Sequence, residues 1–232
     1  MIDLKNRSTK KELLDADNIP FADIKKNMQE LETINRLLGG HQITLKGLSG
    51  FCNGGVQQIS VCEIGCGGGD NLRAIYNYCT AKKINVRLTG IDMKLECIEY
   101  ARQRNADLPA QWICSDYQLT QFKNNPPDII FSSLFCHHFG NEELVHMLGW
   151  MQANSREGFF INDLHRHPLA YHAIGFITRF FSRSYLVKHD APLSVARGFL
   201  EKDWRSIFAK AGIQHYSLRW MWAFRHLIVF KK

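Results

Sequence analysis

The run Val61-Cys62-Glu63-Ile64-Gly65-Cys66-Gly67-Gly68-Gly69-Asp70-Asn71 constrains the fold more than any other stretch of the chain. A short apolar segment ends in a turn with four glycines in five residues, and helix-compatible sequence begins at about Asp70. Glycine at 65 and 67 permits a tight strand-to-helix turn and lets a ligand approach the backbone. The rest of the chain repeats this rhythm. Apolar runs at 59–64, 86–91, 111–115, 129–133 and 158–164 alternate with helical patterns at 70–80, 94–104 and 141–152, while 116–127 is less regular. Such alternation predicts parallel βαβ units in an open, doubly wound α/β sheet.

The flanks complete the plan. From Phe21, apolar residues recur at Ile24, Met28, Leu31, Ile34, Leu37 and Leu38, the spacing of an amphipathic helix opened by Pro20 and stopped by Gly39-Gly40. Residues 1–55 therefore read as an N-terminal helical cap, with 49–55 as a connector, and 56–232 as the α/β domain. Beyond the fifth strand, helices are predicted at 168–181 and 201–211, and strands near 213–219 and 225–230. The segment 165–200 reads as a helical lid inserted after that strand. Asn124-Asn125-Pro126-Pro127-Asp128 reads as a turn, because it precedes a strand and ends in Asp.

Composition narrows the function. With 232 residues, 45% hydrophobic and 22% charged, the chain has the make-up of a globular domain. It contains no run of about 18 uncharged apolar residues, so no membrane span is expected. The polar start (MIDLKNRSTKKELL) and seven scattered cysteines without a C-x-x-C pair predict a cytoplasmic protein with reduced thiols. Cys62 and Cys114, on strands, are expected to be buried.

The net charge of +7 first suggests nucleic acid, but its distribution does not. Residues 1–50 are +1, 51–155 are −2 and 156–232 are +8, so the excess lies in the lid and tail. That pattern reads as a basic rim beside an apolar pocket. It suits an anionic acceptor, an acidic carrier protein or a lipid surface, with nucleic acid as the alternative.

The acidic residues around the glycine turn select its ligand. A dinucleotide fingerprint has glycine where Asp70 stands, and a carboxylate at a helix N-terminus opposes pyrophosphate. Glu63 sits badly beside phosphate but well beside an ammonium group. Asp92, 23 positions after Gly69 at the end of the second strand, is placed to accept two ribose hydroxyls. Asp116, after the third strand, is placed to accept the exocyclic amine of adenine.

As a set, Glu63–Gly69, Asp92 and Asp116 resemble the class I S-adenosylmethionine-dependent methyltransferases, over about residues 59–164. The resemblance implies a Rossmann-like seven-stranded sheet with an antiparallel last strand. It also implies S-adenosylmethionine as cofactor, contacted by Glu63, Gly65, Cys66, Gly67, Gly69, Asp92, Met93, Asp116, Tyr117 and Ser133. A cationic sulfonium ligand without phosphates agrees with acids at three successive loop tips.

The acceptor side follows strands four and five. The loop Ser133-Leu134-Phe135-Cys136-His137-His138-Phe139 places adjacent imidazoles where a reacting group would lie, so His138 and then His137 are candidate bases. His165, after strand five, is a third candidate. His165 and His167 do not read as a metal pair, since no third ligand stands at suitable spacing. The apolar stretch Leu169–Phe181 predicts a lid that forms one wall of a pocket for an aromatic or lipidic small molecule. This loop, Asn35–Gly40 and the mixed segment Arg183–Phe199 resemble a narrower group, the quinone-biosynthesis C-methylases and phenolic polyketide or alkylresorcinol methyltransferases. That resemblance implies a phenolic or quinonoid acceptor, and the paired histidines favour O- over C-methylation.

Overall fold

A computed structural model describes residues 4–16, 18–52, 55–122 and 125–232. The helical preface is two helices, α1 (Phe21–Leu37) and α2 (Gly40–Ser49). The periodicity gives α1 and its start at Pro20. The glycine pair does not end the helical region: Gly39, at φ +76°, turns the chain so that Gly40 opens α2. Asn53, Gly54 and Asn124, which belong to the connector and to the turn before the fourth strand, lie outside the described residues.

The α/β body follows as β1 (Gln58–Ile64), α3 (Asp70–Ala81), β2 (Asn85–Asp92), α4 (Leu95–Arg104), β3 (Ala110–Cys114), β4 (Ile129–Ser133), α5 (Asn141–Asn154) and β5 (Gly158–Leu164). Then come α6 (Pro168–Phe181), α7 (Tyr185–Arg197), α8 (Glu201–Lys210), β6 (Tyr216–Met221) and β7 (Arg225–Lys231). The seven strands form one sheet in the order β3-β2-β1-β4-β5-β7-β6. β7 runs antiparallel to both β5 and β6. The doubly wound seven-stranded plan with an antiparallel last strand is what the sequence predicts.

Alternate strand residues feed two cores. Cys62, Ile130, Phe159 and Ile228 face α5 and α8, while Val61, Ile129, Phe160 and Leu227 face α2, α3 and α4. Phe131 and Phe160 stack on neighbouring strands, centroids 4.8 Å apart at 11°. α2 is integral to the second core, because Gly47 lets the helix approach the Phe160 ring to a distance that a Cβ would not allow.

Three sequence expectations change. Arg183–Phe199 holds a full helix, α7, whose start is capped by the Ser184 hydroxyl accepting the Val187 N–H. Pro192 inside it breaks the pattern that sequence reading relies on. β6 starts at Tyr216 rather than near 213. Gly212, at φ +71°, closes α8 with its N–H donating to Ala209 O and that of Ile213 to Phe208 O, and this consumes the residues just before the strand. Cys114 is exposed, not buried, because β3 is the edge strand and Cys114 is its last residue.

Phe160→Ala should lower unfolding free energy by about 3–5 kcal/mol, since it empties a fully buried stacked site between β4 and α2. Urea unfolding followed by circular dichroism measures this, and a loss under about 1 kcal/mol would show that the two-sided core is misassigned.

Candidate active site

The strand order reverses between β1 and β4, and a parallel sheet opens its ligand crevice at such a point. A cavity of about 1430 Å³ lies there. Its lining brings together ten of the thirteen site residues expected from sequence: Glu63, Gly65, Cys66, Gly67, Asp92, Met93, Tyr117, Ser133, His137 and His138.

On the β1 side, Gly65, Gly67 and Gly69 all take positive φ. A Cβ on Gly67 would meet nothing within 4 Å, so this turn leaves open space on the cavity side. Asp92 stabilises the turn: its carboxylate accepts the Gly67 N–H at 2.9 Å and the Lys94 N–H at 3.0 Å. Burial pushes the Asp92 carboxyl up against those bonds. Glu63 is 1% exposed, and Asn71 Nδ2 donates to its Oε1 at 3.0 Å. Its Oε2 is buried with no partner. Burial, with the charge of Asp70, holds the Glu63 carboxyl well above the usual range despite Asn71. Asp70 accepts from His41 Nε2 at 2.6 Å and Asn35 Nδ2 at 3.1 Å.

Three expected residues stand outside the lining. Gly69 caps α3, and a Cβ there would lie 2.4 Å from the Trp112 ring, so it serves the packing of the turn against β3. Asp116 heads a short 3-10 turn, its Oδ1 accepting the Gln118 N–H, between Ser115 and Tyr117, which do line the cavity. His165 accepts the Trp220 indole N–H on Nδ1 at 3.0 Å. Burial and the neighbouring His226 and His167 push its imidazole down to about 4. His167 caps α6, its Nδ1 accepting the Leu169 N–H.

The β4 side carries the paired imidazoles. Leu134 takes φ +54°, a conformation sparsely populated for a residue with a Cβ, and so turns the chain sharply out of β4. His137 and His138 follow on a 3-10 turn. His137 is buried, and its Nδ1–H donates to Asp163 Oδ1 at 2.8 Å. His138 Nδ1–H donates to Asp15 Oδ1 at 3.2 Å. In both rings this leaves the lone pair on Nε2 when the imidazole is neutral. Each Nε2 faces one carboxylate, Glu12, at 3.6 Å from His137 and 3.7 Å from His138.

Glu12 and Asp15 come from the extreme N-terminal segment, which the sequence reading gave no role. That segment is tied across the cavity. Arg7 donates to Arg197 O, Phe139 O and the Asn141 side chain, and its guanidinium lies 4.1 Å over Phe199. Asp190 accepts the Leu13 and Leu14 N–H groups, and Ser194 donates to Glu12. Arg197 donates to the carbonyls of both His137 and His138. No local pattern marks Glu12 or Asp15 as partners of histidines more than 120 positions away. Asp163 had one usable signal, its place at the C-terminal end of strand five.

Glu12, His137 and His138 offer three ligand atoms within 4.8 Å of one another, a donor set fit for a proton or a divalent cation. The opposite wall is apolar: Met28, Leu31 and Ile34 from α1, and Ala170, Ala173, Ile174 and Ile177 from α6.

Residues 61–158 match the family described as "Methyltransferase domain". No curated protein matches the chain in sequence. Among solved structures, the plantazolicin methyltransferase BpumL in complex with SAH is 21% identical, with a TM-score of 0.62 over 85% of this chain and 72% of that one. Human N-acetylserotonin methyltransferase in complex with SAM is 14% identical, TM-score 0.65, over 92% of this chain and 56% of that one. Magnesium protoporphyrin IX methyltransferase (ChlM) from Synechocystis with bound SAH is 16% identical, TM-score 0.50, over 92% and 89%. Residues 61–158 thus resemble that domain family, and the solved structures share the chain's Rossmann-like fold.

Burial lowers the His138 pKa, but the hydrogen bond to Asp15 and the charges of Glu12 and Asp15 outweigh it and raise it above 6.5. Asp15 moves below 3.8, the bond and charge of His138 overcoming burial. The His138 share of stability is therefore full below pH 6.5 and lost as pH rises through its raised value. The Asp15 share is present above pH 3.8 and lost as pH falls through its lowered value. An NMR titration should give His138 a pKa above 6.5, falling in Asp15→Asn; equal values in the two proteins would break the pairing.

Proposed function

We propose that the protein transfers the methyl group of S-adenosylmethionine to a hydroxyl of a small aromatic acceptor. The observation that carries this reading is the cluster of His137, His138 and Glu12, set beyond the tip of β4 on the same cavity as the acidic glycine turn. When bound, S-adenosylmethionine supplies an electrophilic methyl group on a sulfonium ion.

The β1 side fits that cofactor. The unpartnered, buried Oε2 of Glu63 suits an ammonium group, which would satisfy an atom the fold leaves without a hydrogen bond. Asp92, already fixed by two backbone N–H groups, has lone pairs left for ribose hydroxyls. Gly67 leaves room for direct contact with backbone. Burial holds the Glu63 carboxyl above the usual range, and a neighbouring ammonium would draw it back down.

The β4 side handles the acceptor proton. A phenol titrates near about 10, so a hydroxyl nucleophile gains from a base within reach. His138 takes that proton on Nε2, and the imidazolium so formed is stabilised by Asp15 on Nδ1 and by Glu12 beside Nε2. His137, held by Asp163, can serve the same role from a more buried position. The aromatic and aliphatic wall supports a phenolic or quinonoid ring, alkyl-substituted or not, and the proton-accepting cluster favours oxygen over carbon as the methylated atom. Alignment of the reacting atoms supplies the rest.

Three results test this. Asp92→Ala should weaken S-adenosylmethionine binding about ten- to a hundredfold by calorimetry, with the fold retained by circular dichroism; an unaltered Kd removes Asp92 from the site. With labelled donor and a panel of phenols, turnover should rise with pH through the raised pKa of His138, and this acid limb should shift down in Asp15→Asn. Dialysis against EDTA should leave turnover intact. A loss that divalent metal restores would assign the Glu12–His137–His138 cluster to cation binding instead of proton transfer.

A further inference from the structure

The outer face of the lid carries features the methyl-transfer reading does not use. α6 is apolar on two sides. Ala170, Ala173, Ile174 and Ile177 line the cavity. Leu169, Phe176 and Phe180 recur at spacings of seven and four and so share one face, and Phe181 adjoins them. These four are 61%, 62%, 65% and 79% exposed, and the Phe176 and Phe180 rings pack 4.7 Å apart at the surface. Single exposed hydrophobics need no explanation, but a contiguous aromatic patch does.

The charge around the patch has one sign. From Leu164 to His189 the chain has no Asp or Glu, and Arg179, Arg183 and Lys188 are exposed. The acids nearest by contact are committed: Glu30 accepts from Ser182 and from the backbone of Arg183 and Ser184, and Asp23 accepts from the Tyr185 hydroxyl. Between α6 and α7 lies a shallow groove of about 530 Å³ lined by Tyr171, His172, Gly175, Phe176, Arg179, Lys188 and Pro192. Two fixed cations and a phenol at the edge of an aromatic patch form a receptor for a phosphate diester with an apolar body attached.

We propose that the outer face of α6 and α7 docks on an anionic phospholipid surface. A headgroup phosphate lies in the groove beside Arg179 and Lys188, and Phe176, Phe180 and Phe181 sit at the headgroup–acyl boundary. The contact is interfacial: α6 has 14 residues, and no helix among the described residues is long and apolar enough to cross a membrane. Since the inner face of the same helix lines the cavity, docking sets the acceptor pocket directly above the membrane. That last step rests on the acceptor reading above, whereas the docking itself does not.

Sedimentation with extruded vesicles tests it. The protein should partition onto vesicles of phosphatidylcholine with about one-third phosphatidylglycerol, and far less onto phosphatidylcholine alone or at high salt. Arg179→Ala with Lys188→Ala should weaken partition about tenfold or more, since each basic residue near such a surface contributes roughly fivefold. Phe176→Ser with Phe180→Ser and Phe181→Ser should abolish it. All these positions are exposed, so thermal unfolding and S-adenosylmethionine binding should stay as in the parent, which separates a failure here from a failure of the methyltransferase reading. No partition onto anionic vesicles, or equal partition by parent and variants, overturns the proposal. So does a concentration-dependent dimer in analytical ultracentrifugation that the phenylalanine variants dissolve, because a second copy would then cover the face.

Discussion

A carboxylate with no solvent exposure organises the β4 half of the cavity. Asp163 is the last residue but one of β5, and burial by itself would keep such a group neutral. Instead the His137 imidazole and the Leu164 N–H hold it below the ordinary carboxylate range, and the Phe135 N–H adds a third bond. One side chain thereby fixes the loop after β4 to the end of β5 and decides which nitrogen of His137 faces the cavity. The charge of Asp163 also favours the charged forms of Arg7 and Arg225, both otherwise disfavoured by burial. Arg7 anchors the N-terminal segment that carries Glu12 and Asp15. The histidine cluster, its two orienting acids and the segment crossing the cavity are therefore one coupled unit, in which a buried charge is stable only because every partner is present.

The glycine turn works by a different logic. There, positive-φ glycines clear space, and two acids beside it are incompletely satisfied: Glu63 retains an orphan oxygen, and Asp92, bonded to the Gly67 and Lys94 N–H groups, keeps lone pairs unspent. Two halves of one cavity thus differ in preparation. The β4 side is pre-organised by internal pairing, which suits proton transfer. The β1 side holds unspent polar capacity, which suits a ligand with an ammonium group and hydroxyls. Sheet topology brings them together, since β1 and β4 are neighbours although 65 residues separate Ile64 from Ile129.

This difference explains what could be read from sequence. The β1 side is local: Glu63, Gly65 and Gly67 fall in one turn, and Asp92 ends the next strand, so pattern and spacing were enough. Strand–helix alternation likewise gave the sheet, because fully buried parallel strands are continuous apolar runs. The β4 side was half legible. The two histidines stand out in a loop that the fold sets on the cavity, but the groups that set their tautomers are far away in sequence. Glu12 and Asp15 sit in a charged, aperiodic stretch whose meaning depends on Arg7 reaching Arg197 and Phe139. α7 was hidden by Pro192 and by mixed polarity. Tertiary packing, seen in its fully buried Val187 and Ala196, outweighs weak helical signals.

The charge distribution gains a structural meaning from the same comparison. An excess of +8 in residues 156–232 looks uniform in sequence, yet the structure divides it into two kinds of cation. Arg166, Arg197 and Arg225 are buried and hydrogen-bonded to carbonyls or side chains of the scaffold. Arg179, Arg183 and Lys188 stand at the surface of the lid beside exposed phenylalanines. The first set holds the cavity's shape and is screened from ionic strength by burial; the second is fully open to it. The surface set responds to ionic strength, as do other exposed cations of the tail such as Lys202, Arg205 and Arg219. Burial shields the internal cluster around Asp163 over the same range, even though a single helix, α6, borders both the cavity and that surface.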